Sequence, residues 1–125
     1  MVLVDTSIWI DYFRSGDNSG KLDFLIDENL VAINALILTE LTPFLRIKNQ
    51  RKIIRLLQSI NRLPLSIDWD QIAEYQYRCL RGRINGVGIP DLIIAQNAKQ
   101  HHCSIYAFDK HFPLMKNTIG IRLFE

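Results

Sequence analysis

The sequence predicts an α/β fold in which helices cover both faces of a mostly parallel sheet. Short, continuous apolar segments alternate with helical patterns along the chain, and such segments are typical of strands buried on both faces. The chain has 125 residues, 48% of them hydrophobic and 22% charged, which is an ordinary globular composition. A chain of this length forms one hydrophobic core, so we expect a single domain over residues 1–125.

The first half of the chain predicts two strands and three helices. In order, we expect a strand at 2–4, a helix at 8–13, a loop at 15–20, a helix at 22–28, a strand at 30–33 and a helix after Asn34. The Asn34 side chain can cap this third helix. Pro43 should bend or interrupt it, because proline lacks the N–H that an interior helical position donates.

The second half predicts three more helices and three more strands. In order, we expect a basic amphipathic helix at 50–59, a strand at 63–67, a helix from Asp68 or Asp70 through Arg81, a loop at 82–88, a helix through Lys99, and strands at 104–108 and 119–124. Pro90 suits a first helical turn and places Asp91 at the N-terminus of its helix. The sheet should therefore have about five strands.

Four acidic residues stand where apolar segments stop or within helices beside them: Asp5, Glu40, Asp91 and Asp109. A carboxylate beside a hydrophobic core is costly unless it is paired or binds a cation. Sites in open parallel sheets form at the carboxyl ends of strands, where Asp5 and Asp109 are expected, and the helical Glu40 and Asp91 can close over the same edge. The pattern therefore predicts one shared site.

The ligand that this site suggests is a hard divalent cation. Oxygen ligands suit Mg²⁺ or Mn²⁺, whereas a zinc site would bring clustered Cys or His in a recognisable spacing, which is lacking among His101, His102, Cys103 and His111. Carboxylates that hold one or two such ions can activate water for phosphodiester hydrolysis. A haloacid-dehalogenase-like phosphatase fits poorly, because Ser7 stands where its second aspartate would be.

The charge distribution favours a polyanionic substrate. The net charge is +2, but residues 1–45 carry two basic and seven acidic side chains, whereas residues 46–83 carry nine basic and three acidic ones. A cationic surface beside an acidic site would bind and steer a polyanion, although two ordinary solvated helix faces would give the same counts. Cys79 and Cys103 are expected to be buried, reduced thiols, which favours a cytoplasmic protein.

Four segments, in this order and spacing, resemble the PIN-domain family and, within it, the VapC-like toxins of toxin–antitoxin pairs. They are Val4–Phe13 (VDTSIWIDYF), Leu38–Leu41 (LTEL), Gly88–Ala95 (GIPDLIIA) and Phe108–Phe112 (FDKHF). The resemblance covers nearly the whole chain and implies a three-layer α/β/α sandwich. One departure is Ala107, because the family often carries Thr or Ser two residues before its last aspartate.

The resemblance also implies an activity, a cofactor and partners. It implies an endoribonuclease dependent on Mg²⁺ or Mn²⁺, with Asp5, Glu40, Asp91 and Asp109 matching the family's acidic quartet and Thr6 its neighbouring hydroxyl. A VapB-like antitoxin would hold the enzyme inactive, operator DNA would be bound only through that antitoxin, and homodimers are typical. The helices around 8–13 and 35–57 are candidates for these contacts, and no segment is long and apolar enough to span a membrane.

Simpler interpretations remain for each residue. Asp5 and Asp91 can be helix caps, Asp109 can start a turn, and the aromatic residues Trp9, Tyr12 and Phe13 can be core. Glu40 is the hardest to explain this way, because its apolar neighbours leave it without an obvious solvated face. A non-catalytic RNA- or protein-binding module with the same fold is the alternative function.

Overall fold

A four-stranded parallel sheet lies at the centre of the computed structural model, which describes residues 1–14 and 19–125. Its strands are β1 (Val2–Val4), β2 (Val31–Ile33), β3 (Asn61–Arg62) and β4 (Ser104–Tyr106). The order across the sheet is β3-β2-β1-β4, and all pairs are parallel. The sheet is short in the strand direction, and β1 and β2 are buried along their whole length, as their continuous apolar sequences predict.

Seven α-helices and one π-helical turn surround the sheet in the described residues. They are α1 (Thr6–Phe13), α2 (Ser19–Asp27), α3 (Ala35–Ile47), α4 (Arg51–Ser59), α5 (Trp69–Arg81), α6 (Ile89–Gln100), α7 (His111–Met115) and the π-helical turn Lys116–Gly120. The predicted loop at 15–20 falls largely outside the described residues, and its last two positions already belong to α2. None of these helices is long and apolar enough to cross a membrane.

The strand order explains why the helices form two layers. The chain moves outward from β1 to β2 and then β3, with α1 to α4 in the connections, and it then returns past β1 to β4 through α5 and α6. Parallel crossover connections are right-handed, so reversing the direction of travel moves the connecting helices to the opposite face. The three-layer α/β/α sandwich with a mostly parallel sheet is therefore confirmed.

The predicted third strand at 63–67 was placed too late in the chain. The N–H of Leu63 still donates to the carbonyl of Ile33 (2.8 Å), but Pro64 has no N–H with which to continue the ladder, and the strand consists of Asn61–Arg62. The carbonyls of Pro64 and Ser66 instead accept hydrogen bonds from side chains of and just beyond α6.

The predicted fifth strand at 119–124 is reduced to one bridge. Leu123 pairs with Ile105 of β4 in parallel, and the N–H of Phe124 donates to the Ile105 carbonyl (2.9 Å). The π-helical turn includes Ile119 and ends at Gly120, whose φ of +83° is in the left-handed region that glycine favours. Too few extended residues then remain for a full strand.

The predicted interruption of the third helix at Pro43 is wrong. Helix α3 is continuous from Ala35 to Ile47, with Pro43 inside it. The carbonyl four residues earlier belongs to Thr39, and both residues are exposed, so water can replace the hydrogen bond that proline removes. Asn34 caps α3 as predicted, since its Oδ1 accepts from the N–H of Ile37 at 2.9 Å.

Candidate active site

The candidate site lies at the carboxyl ends of β1 and β4. These strands are neighbours at the point where the strand order reverses, which is where ligands bind in open α/β sheets. The backbone N–H of Asp5 donates to the carbonyl of Tyr106 at 2.9 Å and holds the two strand ends together. The structure therefore brings the regions of Asp5 and Asp109 to one edge, as the sequence predicts.

Asp5 is the most buried acid of the site, with 7% of its surface exposed. It is the N-cap of α1, and its Oδ2 accepts hydrogen bonds from the backbone N–H of Ser7 (3.2 Å) and from the Ser7 hydroxyl (2.8 Å). Burial raises the pKa of the Asp5 carboxyl, the bonds from Ser7 offset part of this rise, and the negative charge of Asp109 adds to it.

Ser7 is a site residue that the sequence interpretation missed. Its hydroxyl donates to Asp5 and also accepts from the backbone N–H of Phe108 at 3.0 Å. Phe108 lies between Ala107 and Asp109. The Ser7 hydroxyl of α1 therefore contacts a segment in which Ala107 itself supplies no hydroxyl. The signal in the sequence was the pair of hydroxyl residues, Thr6 and Ser7, directly after a strand-end aspartate.

Glu40 reaches the site from α3. The hydroxyl of Thr6 donates to its Oε1 at 3.3 Å. Partial burial raises the pKa of the Glu40 carboxyl, the negative charges of Asp5 and Asp91 also raise it, and the bond from Thr6 acts in the opposite direction. The expectation that Glu40 has no solvated face is wrong, since the residue is exposed and lies beside the buried stripe of α3, formed by Ile37, Leu41 and Leu45.

Asp91 lies in the first turn of α6, and its side chain is 21% exposed. Its Oδ2 accepts from the backbone N–H of Gly88 at 3.3 Å, which fixes the carboxylate at the N-terminus of the helix. The pKa of Asp91 is raised overall, and burial is the largest cause. The negative charges of Asp109 and Asp5 add to the rise, whereas the Gly88 bond and His111 act in the opposite direction.

Asp109 lies two residues before the short helix α7. Its Oδ1 accepts from the backbone N–H of His111 at 2.9 Å. The same oxygen lies 2.8 Å from Nδ1 of the His111 ring, and Nδ1 is 3.6 Å from Oδ2 of Asp91. His111 therefore belongs to the candidate site, although its position in the sequence lacks a recognisable zinc spacing. Its separation from Asp109 by one residue was the available signal.

The remaining zinc candidates lie away from this edge. His101, His102 and Cys103 follow the C-terminal end of α6, whereas Asp91 is at its N-terminal end. Both histidines are exposed, and Cys103, like Cys79, is a free and buried thiol. Of the aromatic residues, Trp9 is completely buried in the core, as the simpler interpretation predicts.

The aspartates can accept hydrogen bonds at helix starts and form a shared site at the same time. Asp5, Asp91 and Asp109 each accept a backbone N–H near the start of a helix. Capping sets the direction of each carboxylate before any ligand binds, because the cap bond holds one oxygen in place. Three helix starts thus deliver three carboxylates to one edge of the sheet.

The electrostatics and spacing of the site fit a divalent cation. Asp5, Glu40 and Asp91 all have raised pKa values to which neighbouring acids of the quartet contribute. Asp91, Asp109 and His111 each offer one atom, and these atoms lie within 4.8 Å of one another, a spacing that one ion can bridge. Partly buried carboxylates that repel each other form a favourable site for positive charge, and oxygen ligands suit Mg²⁺ or Mn²⁺.

The nine basic side chains of residues 46–83 are all exposed. Some of them surround the turn between α3, which carries Glu40, and α4. A polar groove of about 250 Å³ there is lined by Arg46, Asn49, Gln50, Arg51 and Ile54. This side of the molecule therefore presents positive charge at the C-terminal end of the helix that carries Glu40.

The family model for the PIN domain matches residues 2–117. In structure, the chain is similar to VapBC2 from Rickettsia felis bound to a promoter DNA fragment (TM-score 0.77, 20% identity, 99% of this chain and 98% of that one) and to FitAcB from Neisseria gonorrhoeae (0.69, 22%, 100% and 97%). It is also similar to a toxin–antitoxin complex from Klebsiella pneumoniae (0.65, 27%, 90% of each chain). No curated protein sequence matches it. The chain belongs to the PIN-domain family.

Proposed function

We propose that this PIN-domain protein is a divalent-metal-dependent endoribonuclease and the toxin of a VapBC-like toxin–antitoxin pair, with residues 1–125 forming one domain. The observation that carries the proposal is the convergence of Asp5, Glu40, Asp91 and Asp109 at the switch point of the sheet. PIN domains are generally nucleases, which agrees with this chemistry. Cytoplasmic location stays a prediction.

In this proposal each residue has a defined task. Asp5 and Asp91 would hold the cation, because hydrogen bonds from Ser7 and Gly88 fix their carboxylates, while Glu40 and Asp109 would add metal ligands or orient water. Thr6 keeps the Glu40 carboxylate turned toward the site through its hydrogen bond. When bound, Mg²⁺ or Mn²⁺ would lower the pKa of water and neutralise charge on the scissile phosphate. A side-chain nucleophile is then unnecessary.

The substrate in this proposal is RNA held by its backbone. The groove at the turn between α3 and α4 and the basic end of α5, with Arg78 and Arg81, would contact phosphates. Such contacts position a strand without reading its sequence, so binding should weaken as salt increases. Cleavage of a mixed RNA pool would identify the class of RNA that is cut.

The proposed regulator is a VapB-like antitoxin. The structures from R. felis and K. pneumoniae contain a VapBC pair and a toxin–antitoxin complex, which supports a partner of this kind here. An Arg or Lys from the antitoxin could enter the carboxylate cluster and take the place of the metal, since close opposite charges attract strongly in a partly dry site. Operator DNA would be bound through the antitoxin, and homodimerisation is proposed from the family.

The test is cleavage of a mixed pool of structured RNAs by the purified, antitoxin-free protein in Mg²⁺, Mn²⁺ or EDTA. Asp5→Asn and Asp91→Asn should each reduce cutting at least about 100-fold, because even residues that only support metal ligands contribute about 10- to 100-fold. Asp70→Asn is the matched control. Asp70 is exposed at the start of α5, which contacts α6 near Gln96, well beyond the turn that carries Asp91.

The outcomes separate the two candidate functions. Metal-dependent cutting that is lost in the two site variants and kept in Asp70→Asn supports the nuclease. Salt-sensitive RNA binding without cutting would favour the non-catalytic binding module, which Ala107 favours. Equal cutting by all four proteins would mean that the activity comes from another site or a contaminant.

A further inference from the structure

The imidazole of His111 is held between the acidic site and a glycine loop. Its Nδ1 edge faces Asp109 and Asp91, at 2.8 and 3.6 Å. Its opposite edge packs on Gly86, where a Cβ atom would come within 3.1 Å of Nε2. Gly86 has a φ of +82°, so the loop makes this close approach in a conformation that glycine favours. The ring is therefore oriented by the fold, with Nδ1 directed into the site.

The Nδ1 atom itself is shielded from solvent and has no aligned hydrogen-bond partner. Nδ1 lies 2.8 Å from Oδ1 of Asp109, but the two atoms are not aligned for a hydrogen bond. A cation shared by Nδ1 and the two carboxylates would satisfy all three groups at once. Nδ1 and one oxygen from each of Asp91 and Asp109 lie within 4.8 Å of one another, close enough to bind one ion.

We propose that His111 is a direct metal ligand through Nδ1, together with Asp91 and Asp109; this deepens the proposed function and rests on its metal site. An imidazole ligand discriminates between metals that carboxylates alone bind similarly. Mg²⁺ strongly prefers oxygen, whereas first-row transition ions accept nitrogen with affinities that rise from Mn²⁺ to Co²⁺. The site should therefore bind Co²⁺ and Mn²⁺ more tightly than Mg²⁺.

The first readout is the nitrogen ligand itself, measured by pulsed electron paramagnetic resonance of Mn²⁺ bound to the whole protein. Wild type should show the ¹⁴N coupling of a directly bound imidazole. The coupling should disappear in His111→Ala and in His111→Asn, in which the asparagine keeps a polar atom near the position of Nδ1. The matched control is His102→Asn, because His102 is exposed at the far end of α6 and asparagine tolerates its φ of +55°.

The second readout is affinity, measured by calorimetric titration. His111→Ala should raise the Kd for Mn²⁺ at least about 10-fold, within the range for residues that support metal sites. The Kd for Mg²⁺ should change less than about 3-fold, because the oxygen ligands remain. His102→Asn should leave both constants unchanged, and circular dichroism would confirm that each variant is folded.

The proposal is overturned if wild type binds Mn²⁺ without ¹⁴N coupling, or if the coupling persists in His111→Ala. In those cases His111 only pairs with Asp109, and the metal-dependent nuclease still stands if RNA is cut. If wild type binds no Mn²⁺ and cuts no RNA, the proposed function has failed together with this inference.

Discussion

Two polar clusters lie close to the core of this molecule. One consists of neutral side chains with hydrogen-bond partners, and the other consists of carboxylates that repel one another. In the first, Asn34 donates to Asn97 at 3.0 Å and accepts from Ile37, while Asn97 donates to the carbonyl of Pro64 at 3.0 Å. Both asparagines are fully buried. In the second, Asp5, Glu40, Asp91 and Asp109 bring like charges together, and burial works against three of them.

In the proposed function, the difference separates residues that stabilise the fold from residues that would bind a cation. A buried polar group with partners costs little and can specify a unique structure, so the asparagine cluster joins α3 and α6 at a defined position. Those are the helices that deliver Glu40 and Asp91. The acidic cluster instead lowers the stability of the metal-free protein. This is the expected arrangement for a site that a cation completes.

The largest effect on stability is expected from breaking the satisfied cluster. Asn97→Ala would leave the buried Asn34 amide without its partner and remove the bond from Asn97 to the Pro64 carbonyl, so the free energy of unfolding should fall by about 2 to 3 kcal/mol. Urea denaturation measures this change. Gln100→Ala is the control, because Gln100 makes a similar bond to the Ser66 carbonyl at the surface, and its loss should be below about 1 kcal/mol. Equal losses would mean that burial of the cluster is unimportant.

A smaller effect, and one on activity, is expected from Ser7. Ser7→Ala removes the hydroxyl between Asp5 and the backbone of Phe108, so the two strand ends that form the site lose a link. We expect RNA cleavage to fall about 10-fold, equivalent to about 1.4 kcal/mol. Ser7→Thr should restore most of the activity, and Ser59→Ala, at the exposed end of α4, should have no effect. Unchanged cutting by Ser7→Ala would exclude a positioning role.

The smallest effect is the pH dependence of stability in the metal-free protein. The pKa values of Asp5, Glu40 and Asp91 are raised in the folded state, so the folded protein holds protons that the unfolded chain has already released. These groups therefore lower the free energy of unfolding as pH rises from the ordinary values of 3.8 and 4.5 through the raised ones.

Asp91→Asn provides the measurement for this prediction. The variant should gain stability relative to wild type between pH 4 and pH 7, because it removes one of the three penalties, and the advantage should be absent near pH 3. Thermal unfolding in EDTA at each pH gives the comparison. A variant that is less stable than wild type at pH 7 would contradict the raised pKa of Asp91.

The sequence predicted the fold class and the acidic residues for the same physical reason. Continuous apolar strands must be buried on both faces, and an aspartate directly after such a strand stands at the sheet edge, so Asp5 and Asp109 could be placed together. Ser7 and His111 were missed although each lies two residues from an aspartate, because Ser7 also contacts Phe108 and His111 also contacts Asp91, and only the folded chain brings these pairs together. Glu40 was judged too buried, since apolar residues surround it in the sequence, but it lies at the exposed margin of the buried stripe of α3.

Local details also escaped prediction where tertiary structure overrode them. Pro43 was expected to bend or interrupt a helix, and the interruption is absent because water can replace the missing hydrogen bond at this exposed position. The last strand was reduced to a bridge because a π-helical turn used part of its sequence. In both cases the local preference of the sequence was real, but the surrounding structure decided whether the helix was interrupted or the strand formed.

Thermal unfolding with increasing Mn²⁺ at neutral pH tests the central claim most directly, because it asks whether the acidic cluster is completed by a cation. Wild type and Asp70→Asn should be stabilised by about 2.7 kcal/mol when Mn²⁺ reaches 100 times its Kd, whereas Asp91→Asn should gain little at the same concentration. Either no stabilisation of wild type or equal stabilisation of all three proteins would contradict the account.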